Sequence, residues 1–201
     1  MAPQKRRLEI LPLTRERWDD FVQLFGPRGA CGGCWCMTPR LPRAVYERQK
    51  GAGNKKAMRR LVERGAEPGL LAYVGGEPVG WCALGPREDF PPLARSRVAK
   101  RIDERPAWSI VCLYIRPDQR GRGLSARIIE AAAAHARSRG AELLEAYPVE
   151  PRKKPMPAVF AWTGIASAFL RAGFEEVARR SPTRPYLRRE LGRRRSSSRA
   201  R

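Results

Sequence analysis

Residues Trp108–Leu144 read WSIVCLYIRPDQRGRGLSARIIEAAAAHARSRGAELL. A short apolar run, Trp108–Ile115, ends two residues before Pro117, and a turn rich in Arg and Gly follows. An Ala-rich helical stretch, Leu124–Arg139, begins at once, and a second apolar run, Glu142–Tyr147, comes after it. This order predicts strand, turn, helix, strand. The turn RGRGLS, Arg120–Ser125, sets unpaired backbone N–H groups and two Arg side chains at a helix N-terminus. N–H groups and helix dipole there both favour a phosphate or pyrophosphate. Gly121 and Gly123 let the backbone approach it without a Cβ in the way.

Outward from this unit the chain reads as one domain with a tail. Toward the N-terminus, Arg7–Leu13 is a predicted strand and Thr14 a candidate N-cap. Arg15–Phe25 is a predicted helix with Trp18, Phe21, Val22 and Phe25 on one face. A Gly- and Cys-rich loop, Gly26–Arg40, comes next. Arg43–Arg64 has helical periodicity broken by Gly51 and Gly53, which predicts two helices. Leu70–Val74 and Val79–Leu84 flank Gly75–Gly76–Glu77–Pro78, a hairpin signal. Arg87–Pro106 is polar and reads as a loop with a short helix. Toward the C-terminus, Pro148–Pro157 is a Pro-rich loop, Thr163–Arg171 a short helix, and Phe174–Ala178 and Tyr186–Arg189 strands. The expectation is an α/β sheet of mixed direction over residues 1–190. Residues 191–201 form a basic tail that cannot bury a core and is expected to be disordered.

The composition narrows the classes. The chain has 201 residues, enough for a sizeable core. No apolar run approaches a bilayer span, and MAPQKRRLEI lacks an h-region and cleavage site, so a cytoplasmic protein without a membrane segment is expected. The five Cys are odd in number and three crowd into CGGCWC, which speaks for free thiols rather than a disulfide framework. Lys and Arg outnumber Asp and Glu by 41 to 20, for a net charge of +21. Arg179–Arg201 alone holds ten Arg and one acidic residue. Such a surface attracts anions of many kinds, but no base-reading motif accompanies it. Nucleic acid through the Arg-rich tail is therefore the less favoured partner.

The segment LYIRPDQRGRGLSARII, Leu113–Ile129, resembles the GNAT superfamily of acyl-CoA-dependent N-acetyltransferases. It has the family's strand, its Pro-bearing turn, and its Arg/Gln-x-x-Gly-x-Gly/Ala opening a long helix, with Ser125 where Gly or Ala is usual. SAFLRAGFEEV, Ser167–Val177, resembles the family's late helix, Gly-Phe and strand. The likeness in element order runs from about Arg7 to Arg189. It implies a mixed, mostly antiparallel central sheet with a splayed strand pair at the acyl-CoA site, flanked by helices. The implied donor is acetyl-CoA. The backbone of Leu113, Tyr114 and Ile115 would meet the pantetheine and thioester. Arg120, Gly121, Arg122, Gly123, Leu124 and Ser125 would hold the pyrophosphate. The implied reaction is direct attack by a primary amine of a small molecule or peptide, by a monomer or homodimer. The alternative is a basic module of the same fold that binds RNA or ribosomes.

The acceptor half departs from the family. An attacking amine must be deprotonated, the leaving thiolate needs a proton, and the oxyanion needs N–H donors. The family's usual Tyr acid falls at Phe169, which has no proton to give. The usual Asn after the fifth strand is replaced by PVEPRKKPMP. Tyr147 and Glu145 share a strand face because side chains alternate with a period of two, and they become the candidate acid and base. The alternatives are packing for Tyr147 and an ion pair for Glu145. His135, alone in the Ala-rich helix, reads as structural. Cys34, Trp35 and Cys36 fall where the family lines its acceptor site, and some bacterial members carry a similar Cys-Trp-Cys loop. Cys31, Cys34 and Cys36 would need Cys82 or Cys112 as a fourth zinc ligand, each in a predicted core strand, so no metal is expected; the favoured reading is apolar packing beside the acceptor cleft, and the alternatives are a reactive thiol or a zinc- or redox-dependent regulator.

Overall fold

A computed structural model describes residues 7–151 and 157–192. Seven strands form one sheet in the order β1-β2-β3-β4-β5-β7-β6. They are β1 (Leu8–Pro12), β2 (Gly69–Val74), β3 (Glu77–Pro86), β4 (Trp108–Ile115), β5 (Leu143–Ala146), β6 (Glu175–Arg179) and β7 (Pro185–Glu190). Every neighbouring pair is antiparallel except β4 and β5. The parallel step follows from the crossover helix α4 (Leu124–Ser138), which carries the chain from β4 to β5. The α/β sheet of mixed direction is thus as expected.

Apolar cores cover both faces of the sheet. On one face α4 buries Leu124, Ile128, Ile129, Ala132, Ala133 and Ala136. Its Ala residues let it lie close on β3, where a Cβ on Gly80 would meet Ile128 Cδ1 at 2.9 Å. α5 (Ala166–Arg171) packs on the same face through Phe169, which is fully buried edge-to-face with Phe174. The other face is covered by α1 (Trp18–Phe25) and α3 (Ala52–Glu63), and α2 (Arg43–Arg48) precedes α3. The break at Gly51–Gly53 thus separates two helices, as the sequence indicates. α1 buries Trp18, Phe21, Leu24 and Phe25, and ends at Gly26 with φ 62°.

Some boundaries differ from expectation. The predicted helix Arg15–Phe25 opens as a 3-10 turn over Arg15–Arg17, and Thr14 does not cap it. The Thr14 hydroxyl instead accepts a hydrogen bond from Arg17 Nη1 at 3.1 Å, which takes the oxygen that a cap would use. Arg87–Pro106 contains two 3-10 turns, Arg87–Asp89 and Pro91–Arg95, rather than an α-helix; Pro91 and Pro92 lack the N–H groups that helix extension needs. β6 is an exposed edge strand, guarded by Glu175, Glu176 and Arg179. No helix among the described residues is long and apolar enough to cross a membrane. The expected disorder of the basic tail falls on residues 193–201, which lie outside the described residues, and so does part of the Pro-rich loop, 152–156.

Two irregularities of β4 open a gap in the sheet. The β3–β4 register steps from Ala83↔Cys112 to Leu84↔Ile110, leaving Val111 as the extra residue of a bulge. The β4–β5 pairing stops at Ile110↔Ala146, so beyond that rung the two strands diverge.

Candidate active site

A cleft of about 640 Å³ lies where β4 and β5 part. At one end are Arg120 and Ser125, and at the other the Cys-rich loop with Phe25 and Tyr46. Leu113, Tyr114 and Ile115 run along it.

The turn at the first end leaves room and free N–H groups before the helix start. Gly121 and Gly123 have φ values of 75° and 73°, and a Cβ at either would meet nothing within 4 Å, so open space faces the turn. No side chain caps α4, which leaves the N–H groups of its first turn free of a side-chain partner. Arg120 and Arg122 are exposed beside them, and Arg120 Nε donates to Ile115 O at 2.9 Å, which ties the turn to the end of β4. Leu124 turns inward and is buried, anchoring the helix start, while Arg127 is exposed on the solvent side. Asp118, the acid nearest this turn in sequence, is clasped by Arg116 through bonds of 2.7 and 3.0 Å. That clasp, with a bond from Gln119, holds its carboxyl down at about 2. Of the residues predicted for the pyrophosphate, Arg120 and Ser125 line the cleft.

The backbone at the splay is engaged. Leu113 N–H donates to Trp162 O at 2.7 Å. The same segment joins the far side, where Val149 N–H donates to Gly164 O and Ala166 N–H to Val149 O, each at 2.9 Å. Residues 162–166 therefore bridge the gap between the diverging strands. Ala161, Trp162, Gly164 and Ile165 form that wall of the cleft; of these the sequence offers Trp162 as a candidate for an aromatic acceptor pocket, and the other three went unpredicted.

The Cys-rich loop forms the far end. Cys31, Cys34 and Cys36 line the cleft, together with Cys112 of β4. Trp35 does not; it is buried, stacked on Phe25 with centroids 5.9 Å apart and with Lys55 Nζ over its ring at 4.9 Å. Gly29 makes room for that ring, since a Cβ there would lie 2.5 Å from Trp35 Nε1. Among the described residues no group of three or more His, Cys, Asp or Glu is arranged to hold a metal ion.

Tyr147 and Glu145 point the same way, as the strand period requires, but neither lines the cleft. Glu145 is 1% exposed and sits on a rung with Ser109 of β4 and Arg188 of β7. Both its oxygens are in use. Oε2 accepts from Arg87 Nη1 at 2.9 Å and from the Tyr147 hydroxyl at 2.8 Å. Oε1 accepts from Arg188 Nε at 3.0 Å and Nη2 at 2.7 Å. Ser109 Oγ lies 3.1 Å from the Tyr147 hydroxyl, and Arg87 Nη1 also donates to that hydroxyl. Burial first, then the Glu145 carboxylate, push the Tyr147 phenol well above its usual range, so it keeps its proton. His135 stands on α4 beside Glu67, 3.5 Å away, and does not line the cleft. Burial lowers its pKa, against the pull of Glu67.

Arg188 also grips Asp103 through bonds of 2.6 and 2.9 Å, which hold that carboxyl at about 2. A lowered native pKa means the unfolded chain binds the extra proton, so this contribution is present above the ordinary value of 3.8 and lost as pH falls toward 2. Urea midpoints measured across that window are expected to fall with pH, and more shallowly in Asp103→Asn.

The comparisons agree with this geometry. A family model described as the acetyltransferase (GNAT) family matches residues 35–160. No curated protein sequence matches the chain. Among solved structures, an N-acetyltransferase from Staphylococcus aureus Mu50 aligns with TM-score 0.53 and 13% identity, over 92% of this chain and 99% of that one. A GNAT-family acetyltransferase from Streptococcus agalactiae 2603 aligns with TM-score 0.55 and 10% identity, over 91% and 95%. The PaiA N-acetyltransferase of Thermoplasma acidophilum, solved with coenzyme A, aligns with TM-score 0.50 and 13% identity, over 92% and 99%. At these identities the structural likeness is one of fold. With the family match across β3, the splay, the RGRGLS turn and α4, the chain belongs to the GNAT family of acetyltransferases.

Proposed function

We propose that the protein transfers an acetyl group from acetyl-CoA to the primary amine of an apolar, uncharged-bodied acceptor, a small molecule or the end of a peptide. The observation that carries this is a single cleft lined both by Arg120 and Ser125 at the start of α4 and by aromatic and thiol side chains. Arg120, Arg122 and the first-turn N–H groups of α4 hold the pyrophosphate. Leu113–Ile115 lie along the pantetheine path. The donor supplies an acyl group activated as a thioester, and the chain's own groups orient it and exclude water.

The lining supports the acceptor class. Phe25, Tyr46, Tyr114 and Trp162 present rings to the cleft, and Arg120 is its one charged residue among those described. Among the described residues no carboxylate lines it, so nothing there would pair with the extra charges of a polyamine or an aminoglycoside. Glu145 and Tyr147 act as positioning residues in this reading. Their network with Arg87, Ser109 and Arg188 closes the last paired rungs of β4 and β5, at the root of the splay.

A turnover screen with acetyl-CoA tests the assignment. Arylalkylamines and apolar N-terminal peptides are expected to exceed polyamines and aminoglycosides by at least tenfold in kcat/KM. Preference for the polycations would overturn the acceptor class, and no acetyl-CoA binding by calorimetry would overturn the function.

A further inference from the structure

The acyl cleft has a use for Arg120 and Arg122, but the chain carries a net charge of +21. A second concentration of cations surrounds an open hollow of about 600 Å³, lined by Ala94, Arg95, Ser96, Arg97, Lys100 and Arg180. The hollow shares no lining residue with the cleft. Residues 94–100 belong to the connection between β3 and β4, and Arg180 directly follows β6.

The backbone that carries these side chains is fixed. Arg180 Nη2 donates to Arg101 O at 3.0 Å and its Nη1 donates to Lys100 O, while its guanidinium lies 5.8 Å from the centroid of the Tyr186 ring. These bonds tie the connection to the end of β6. Within the connection, Lys100 N–H donates to Ser96 O at 3.0 Å and Ala99 N–H to Ser96 Oγ at 3.1 Å. Ala99 O accepts from the buried Arg87. A guanidinium has five N–H groups, so Arg180 keeps donors beyond those two bonds, and Ser96 Oγ, an acceptor there, keeps its own proton to donate. Donors already held in place lower the ordering cost that a ligand meets.

The charges in the hollow are uncompensated. Nearby on the same two segments, Arg101 pairs with Glu88, Arg105 with Glu190, and Arg179 with Glu150 and Glu176. Among the described residues, Arg95, Arg97, Lys100 and Arg180 have no carboxylate at ion-pair distance. Four like charges around one hollow repel one another, and a bound polyanion relieves that repulsion. No aromatic ring lines the hollow, so nothing there would stack a base.

We propose that this hollow is a second anion site that takes a compact oligophosphate, either a free triphosphate or the triphosphate end of a nucleotide. A single phosphate monoester carries about −1.5 to −2 at pH 7, so four cations call for several linked phosphates rather than one. The planar forks of the arginines suit phosphate oxygens through paired N–H donors. Recognition is of the phosphates and not of the base. The site binds; no bond is made or broken there.

The test is calorimetry of the full chain with sodium tripolyphosphate in metal-free buffer at low salt. One site is expected, and it is expected to persist in Gly123→Glu, which obstructs the start of α4. The double variant Arg95→Gln, Arg97→Gln is expected to weaken it by about tenfold or more. Both side chains are exposed and make no hydrogen bond among the described residues, so an unchanged urea midpoint is expected as well. Lys56→Gln, Arg60→Gln on α3 removes the same charge from another exposed surface and is expected to cost less than about twofold. ATP without a divalent metal is expected to bind within about threefold of tripolyphosphate, since the base adds no contact. No binding of tripolyphosphate would overturn the proposal, and so would equal losses in the two double variants, which would mean diffuse attraction by the whole surface. Loss of the site in Gly123→Glu would place the anion in the acyl cleft instead. Citrate binding as tightly as tripolyphosphate would overturn the phosphate class. A single-stranded RNA bound more tightly through Arg95 and Arg97 would replace the small ligand by a nucleic acid.

Discussion

Glu145→Gln is expected to destabilise the protein by about 3–5 kcal/mol, the cost of leaving buried charges without their counter-ion. Arg87 is 4% exposed, Arg188 8% and Glu145 1%, so water cannot take over the lost bonds. Arg188 keeps Asp103, whereas Arg87 keeps only neutral acceptors, the Ala99 carbonyl and the Tyr147 and Tyr186 hydroxyls. The larger part of the loss therefore falls on Arg87, and the double variant Glu145→Leu, Arg87→Met is expected to recover at least half of it. Urea unfolding followed by fluorescence measures both. A proton-transferring Glu145 would give the opposite pattern, with stability intact and turnover abolished.

Gly123→Glu is expected to weaken acetyl-CoA binding by at least 100-fold, about 2.7 kcal/mol. Its carboxylate would stand at the start of α4, where the pyrophosphate is expected, and meet it as a like charge. The position is open, with nothing within 4 Å of a built Cβ, so the new side chain displaces no packed atom. It does carry the strain of a non-glycine residue at φ 73°. Gly123→Ala separates the two effects, since it carries the strain without the charge, and a loss below tenfold is expected for it. Calorimetry with acetyl-CoA decides. Equal losses in the two variants would place the anion elsewhere.

The strand, turn and helix that the proposal assigns to the donor were legible because they are local. The turn, its glycines and the helix that follows are contiguous in sequence, and their backbone conformations need no help from afar. The apolar periods of α1 and α4 and the hairpin of β2 and β3 were legible for the same reason. Long-range pairing was not. Glu145 and Tyr147 share a strand face, as a period of two dictates, but nothing in their spacing says that Arg87 and Arg188, 58 and 43 residues away, claim that face. Trp35 sits between two cysteines that reach the cleft, and its own burial depends on Gly29 and Phe25. Cys36 and Cys112 come from a loop and from a strand far along the chain, and only the fold brings both to one cleft.

The bridge from Trp162 O to Leu113 N–H has a consequence for how tightly any ligand binds. A ligand whose own amides pair with the open edge of β4 finds that edge already occupied by residues of the same polypeptide. In the proposed donor pose Trp162 O would compete for the Leu113 N–H, and measured affinity would equal the intrinsic affinity scaled by the fraction of molecules in which this segment has let go. Weakening the segment's hold on β4 would tighten the donor without touching a single donor contact.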